Sequence, residues 1–291
     1  MRSTVLAALT LSAATFAAGL AAPAATAGIV LDPAAVPSRT QITLRYSNGT
    51  VVSTANSHES RPALSLTKLY LGYWVLQHGS DADKARVENM IRFSEDATAT
   101  DLDRAYPQAI PEVIAQFGLS ETVYPGYWGN TTTSTEDITR FTAAIVNDPV
   151  AAPLVNGMRT AAPVTADGYK QDYGTSQIPG VIGTKFGWDD DRNAVNASVS
   201  IGDGYTIAAN TYGNAGQLTA DVLGAVRIVD DAVQSSGARV PSPFENQVMP
   251  YIPAQFQDQA RASIRGTEDS INAARQQACD ALAQAGSSRV C

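Results

Sequence analysis

The chain has 291 residues, a net charge of −8 and a pI near 4.7. That length holds one large domain, or a domain with an appendage. The absence of a basic stripe argues against a nucleic-acid partner, and two histidines and two cysteines at no standard ligand spacing point to no metal and no cofactor.

Residues 1–27 read as an export signal. Arg2 is a short basic start, residues 5–21 are almost wholly apolar or small, and Ala25-Thr26-Ala27 matches the small-x-small cleavage rule. Cleavage before Gly28 predicts a secreted or cell-envelope protein. No later apolar run is long enough to span a bilayer, so no transmembrane segment is expected. Residues 28–234 then read as the main domain, 235–257 as a proline-rich linker and 258–291 as a polar helical tail. In an exported chain Cys279 and Cys291 most simply pair as a disulfide, with a free thiol or an intermolecular bridge as the alternatives.

Within the domain, Gln41–Tyr46 alternates as a strand does, Ser47-Asn48-Gly49 is a hairpin turn, and residues 50–54 return. The apolar run Ala63–Leu76, stopped by Gly79, predicts a helix buried nearly all round. A second, amphipathic helix follows over 81–92, and a third over 97–106. Residues 107–130 are a helix and a loop. A capping pattern at Thr133–Asp137 opens a helix over 136–147. Residues 148–180 are mixed. Residues 180–187, 194–201 and 205–212 read as three successive strands, with turns at 189–191 and 202–204. A helix over 218–233 closes the unit. This order predicts an α+β fold, in which strands from both ends of the chain meet in one antiparallel sheet covered by helices.

Ser65-Leu66-Thr67-Lys68 lies at the start of the buried helix. A serine and a lysine three apart share a helix face. The helix N-terminus and burial both disfavour the lysine's ammonium form. Such a lysine can take the serine's proton, which is nucleophilic catalysis without histidine. The pattern by itself is weak, because it fixes only two residues and is more often an N-capping serine beside a snorkelling lysine.

Two further segments extend it. Ser94-Glu95-Asp96 resembles the S-x-N region of serine β-lactamases and penicillin-binding proteins, and Lys185-Phe186-Gly187 resembles their K-[ST]-G strand. The three motifs come in that superfamily's order, and two of only four lysines fall in them. The stretch Gly183-Thr-Lys-Phe-Gly-Trp188 is also similar to one that recurs in a family of actinobacterial secreted serine-hydrolase-like proteins.

The resemblance covers residues 40–233 and implies a β-lactamase/transpeptidase-like fold with a reduced helical subdomain. It implies Ser65 as nucleophile, Lys68 as base, Ser94 as proton relay and Lys185 as the residue that orients Ser94. It places the oxyanion hole at the backbone N–H groups of Ser65 and Trp188, with Gly187 permitting close approach. Asp96, Thr184, Phe186 and Gly187 fall at substrate-binding positions. The implied ligand is a cell-wall peptide, a β-lactam-like molecule or a related amide or ester.

Two departures cut against it. Asp96 replaces an asparagine, and a carboxylate cannot donate a hydrogen bond and favours the ammonium of Lys68. Phe186 replaces a hydroxyl residue. Thr184 shares a strand face with Phe186 rather than substituting for it. Glu112 and Glu121, between the second and third motifs, lie in no E-x-x-x-N frame. An exported Ser–Lys hydrolase is thus the first reading, and a catalytically inactive member that binds cell-wall material or a protein partner is the second.

Overall fold

The computed structural model describes residues 28–229. The predicted signal segment, the linker, the tail and the Cys279–Cys291 pair lie outside the described residues.

In chain order the elements are β1 (Gly28–Leu31), β2 (Thr40–Tyr46), β3 (Val51–Ser53), β4 (Arg61–Pro62), α1 (Thr67–His78), α2 (Asp81–Arg92), α3 (Asp96–Ala105) and α4 (Ala109–Phe117). They continue with β5 (Thr132–Thr133), α5 (Thr135–Ile145), α6 (Ala152–Arg159), β6 (Val181–Trp188), β7 (Asn196–Gly202), β8 (Tyr205–Thr211), α7 (Ala215–Ala225) and β9 (Val226–Val229). Five strands form an antiparallel sheet in the order β3-β2-β8-β7-β6. β2 pairs with β8, from Thr40 opposite Thr211 to Tyr46 opposite Tyr205, so the two ends of the chain meet as the strand pattern predicts.

Strand alternation divides the core into two layers. Ile42, Leu44, Ile207, Ala209 and Phe186 face α7, with Leu218 and Val222. Ala197, Val199, Ile201 and Ala208 face the helical block, where Leu69, Leu71 and Val75 of α1 pack with Met90, Ile138 and Phe141. The apolar side chains of both layers are buried nearly completely, which is the main source of stability for a chain of this size. Buried Ser198 and Ser200 on one face and Lys185 on the other interrupt them.

The boundaries depart from the sequence reading at four places. The run from Ala63 does not begin as an α-helix: Leu64–Leu66 is a 3₁₀ turn, and α1 starts at Thr67. The final helix is shorter than 218–233. Asn214 accepts from the Gln217 N–H, and the Gln217 side chain accepts from the Asn214 N–H, a capping box that starts α7 at Ala215. At Val226 the chain turns extended and pairs with β1, where Ile29 lies opposite Ile228. Residues 148–180 contain α6, whose Pro153 sits in the first turn, where proline's missing N–H costs nothing. The short β4–β5 pair, Arg61 opposite Thr133, joins the entrance of α1 to the loop before α5.

Candidate active site

The structure brings Ser65, Lys68, Ser94 and Lys185 together. Lys68 Nζ is 2.5 Å from Ser65 Oγ and 3.4 Å from Ser94 Oγ, and Lys185 Nζ is 2.7 Å from Ser94 Oγ. Ser94 therefore bridges the two lysines. Both lysines are fully buried, and Ser65 keeps 7% of its exposure.

Local backbone explains the placement. Ser65 sits in the 3₁₀ turn between β4 and α1, and Leu64 before it is left-handed, at φ 56°. Ser94, between α2 and α3, is also left-handed, at φ 54°. Among the described residues only Arg192 joins them as a non-glycine with positive φ. Such residues cost about 1–3 kcal/mol each and need support from their surroundings. Ala63 N–H donates to Thr131 O at 2.9 Å, and Glu95 N–H donates to Met90 O at 3.1 Å.

Lys185 pairs across the sheet with Val199, so its side chain faces the helical block. Asp189 N–H donates to Val195 O at 3.1 Å, which makes that pair the hydrogen-bonded one. The neighbouring Trp188 N–H consequently points away from β7, outward from the edge strand β6. At Gly187 a Cβ would lie 2.8 Å from Leu64 Cβ and 3.2 Å from Ser65 N, so glycine is what lets β6 approach the Ser65 turn this closely. The Gly187 backbone of β6 thus lies directly against the Ser65 turn.

The sequence matches no protein-family model and no curated protein sequence. Solved structures do match. The β-lactamase of Sphaerobacter thermophilus DSM 20745 superposes with a TM-score of 0.53 at 15% identity, over 66% of this chain and 95% of that one. That of Chitinophaga pinensis DSM 2588 gives 0.52 at 12% identity, over 65% and 92%. A halotolerant bacterial β-lactamase gives 0.50 at 15% identity, over 64% and 93%. The chain has the β-lactamase/transpeptidase-like fold.

On this β-lactamase-like scaffold the two lysines are electrostatically unlike ordinary surface lysines. Burial pulls Lys68 below the usual lysine range, and the charge and hydrogen bond of Asp96 pull it back only in part. Lys185 lies well below that range, again through burial first and then through the charge of Lys68. Asp96 Oδ1 accepts from Lys68 Nζ at 2.6 Å, and the indole of Trp128 lies 4.3 Å from the same nitrogen. Both contacts favour the ammonium. The free amine is also fully satisfied here: two N–H groups reach Asp96 and Ser94, and the lone pair accepts from Ser65 O–H. The pair can therefore hold the proton on either side, as a Ser–Lys nucleophile needs.

Replacing Lys185 tests this electrostatic account through stability. Lys185→Met removes a fully buried amine whose charged form is disfavoured by burial and by the neighbouring Lys68. Thermal unfolding should show Tm unchanged or raised by up to about 4 °C; a clear fall would mean that the cation is a net stabiliser.

Two residues read as substrate-binding do not reach the site. Phe186 pairs with Ser198 and packs in the α7 layer against Tyr173, with ring centroids 5.1 Å apart. Thr184 pairs with Ser200 on that same face, and their hydroxyl oxygens are 2.7 Å apart. The period of two that aims Lys185 at Ser94 turns both neighbours away. Glu112 accepts from Trp74 Nε1 at 2.6 Å, and Glu121 contacts His58 at 3.3 Å, so both carboxylates are engaged elsewhere. A groove of about 550 Å³ beside α6, lined by Glu88, Asp148, Asn156 and Arg159 among others, contains none of the site residues.

Sequence reasoning missed Asp167. It lies in the turn of a small hairpin, where Val164 bridges Lys170, and accepts from Trp188 Nε1 at 3.2 Å. Burial raises its carboxyl, but the bonds from Thr165, the Tyr169 N–H and Trp188, with the Arg192 charge, outweigh that and leave it lowered. Trp188 stacks on Tyr169 at 4.8 Å, and Arg192 sits 5.2 Å from the same tyrosine ring. No local motif marks this group; only its proximity to Trp188 does.

Proposed function

We propose that this protein is an exported acyl-transfer hydrolase acting through Ser65. Lys68 takes the Ser65 proton as Oγ attacks the carbonyl of an amide or ester. The oxyanion accepts hydrogen bonds from the backbone N–H groups of Ser65 and Trp188. Ser94, held by Lys185, passes its proton to the leaving group and is reprotonated by Lys68, so an acyl ester on Ser65 remains and Lys68 is again the free amine. Water then attacks that ester, Lys68 takes the water's proton and returns it to Ser65 Oγ as the acid leaves, and Lys68 ends as the free amine. The observation that carries this reading is the single hydrogen-bonded chain from Ser65 through Lys68 and Ser94 to Lys185.

The resemblance noted above makes a cell-wall peptide or a related amide or ester the substrate class to test, and an extracytoplasmic site goes with the predicted signal segment. Among the described residues no helix is long and apolar enough to cross a membrane. The test is covalent capture. The protein is incubated with a fluorophosphonate, and the adduct is located by peptide mass mapping. An adduct on the Ser65 peptide supports the proposal. Reaction elsewhere, or none across a wide pH range, sinks it in favour of the inactive, binding-only alternative, which the contact between Asp96 and Lys68 favours.

A further inference from the structure

The charged groups around the site are already paired. Lys68 is held by Asp96 at 2.6 Å, and Lys185 by Ser94 at 2.7 Å and by the Phe186 carbonyl at 3.2 Å. Arg192 faces Asp167, with its Nη2 3.6 Å from Oδ2 and 3.2 Å from the Asp167 carbonyl oxygen. The most accessible of these charges is the Asp96 carboxylate, which keeps 63% of its side-chain exposure beside the fully buried Lys68; Arg192 and Asp167, a loose pair further out, keep 46% and 43%. The strand residues flanking Lys185 add no side-chain donor, because the Phe186 ring has none and the Thr184 hydroxyl is buried against Ser200. A substrate carboxylate next to the reacting carbonyl would meet the Asp96 anion beside Lys68. It would gain a cation only by breaking one of these pairs, leaving a buried or half-buried charge exposed to the wrong sign.

We propose that the site selects acyl donors that are uncharged beside the scissile bond, and that Asp96 is the residue that rejects a carboxylate there. This rests on Ser65 being the nucleophile and narrows its substrates to neutral esters and amides. Peptides with a free C-terminal carboxylate at the leaving group, and carboxylated β-lactams, become poor substrates. Rejection arises from a repulsive element built into the site rather than from a missing contact alone.

A matched pair of esters tests it. Phenylacetic acid is esterified to phenol and, in a second compound, to 3-hydroxybenzoic acid, so that only the leaving group's carboxylate differs. For the wild-type protein kcat/KM should favour the phenyl ester by at least about tenfold after correction for intrinsic reactivity. In Asp96→Asn that ratio should fall several-fold, towards one. The ratio is insensitive to the changed basicity of Lys68, because both esters use the same base. Equal rates in the wild type, or a ratio unmoved by the substitution, overturn the proposal while leaving the nucleophile in place. If neither ester acylates Ser65, the functional reading fails and this proposal with it. The wild-type ratio needs no variant, so the proposal stays testable even if Asp96→Asn folds poorly.

Discussion

Lys68→Met slows acylation of Ser65 by a reactive ester by about a thousandfold, within the range that loss of a positioned general base produces. Met keeps most of the volume of the stem that packs in α1, so the loss falls on the chemistry. The pH dependence is the sharper readout. Lys68 acts as a base only as the free amine, and burial holds it below the ordinary lysine range. Wild-type acylation therefore rises with pH and levels off once the pH passes that lowered value. The variant loses this rise. Because Asp96 pulls Lys68 upward, Asp96→Asn moves the rising limb to lower pH. Stopped-flow acylation between pH 5 and pH 10 distinguishes the outcomes. A variant that keeps the wild-type profile would remove Lys68 from the mechanism.

Arg61→Met lowers stability by about 3 kcal/mol, or roughly 6–12 °C in Tm for a domain of this size. Arg61 is 2% exposed. Its guanidinium donates to the Arg39 carbonyl at 2.6 Å, the Asn210 carbonyl at 3.2 Å and the Glu59 carboxylate at 2.7 Å, and it lies 4.3 Å from the Tyr212 ring centre. Methionine fills the space but forfeits the charged guanidinium's bonds to the two carbonyls and to Glu59, and bonds to a charged group contribute about 1.5–3 kcal/mol each. The Arg39 carbonyl still accepts from the Tyr212 N–H at 3.1 Å. Arg61 also begins β4, four residues before Ser65, and so pins the strained Ser65 turn to the ends of β2 and β8. Differential scanning calorimetry measures the loss. A shift below about 2 °C would show that water or Glu59 rearrangement replaces these bonds.

Neither prediction follows from motif reading alone. The three motifs were legible because each needs specific residue types at short range, and lysine is scarce enough in this chain to make their coincidence informative. The antiparallel sheet was legible because β2, β7 and β8 carry strong strand patterns and tight turns. Arg61, by contrast, looks like any surface arginine until β4 folds beneath the sheet's end.

The S-x-x-K pattern put Ser65 beside Lys68, since a spacing of three on one turn leaves little freedom. The order of strands and helices determined the fold class in the same local way. Tertiary structure decided what that pair faces. It brought Lys185 to Ser94 from 91 residues away, set Asp96 against Lys68 and Trp128 over it, and placed Asp167 on Trp188. It also turned Thr184 and Phe186 to the other side of the sheet. Those outcomes depend on sheet register and on loops whose ends are closed by packing, and neither leaves a short-range trace in the chain.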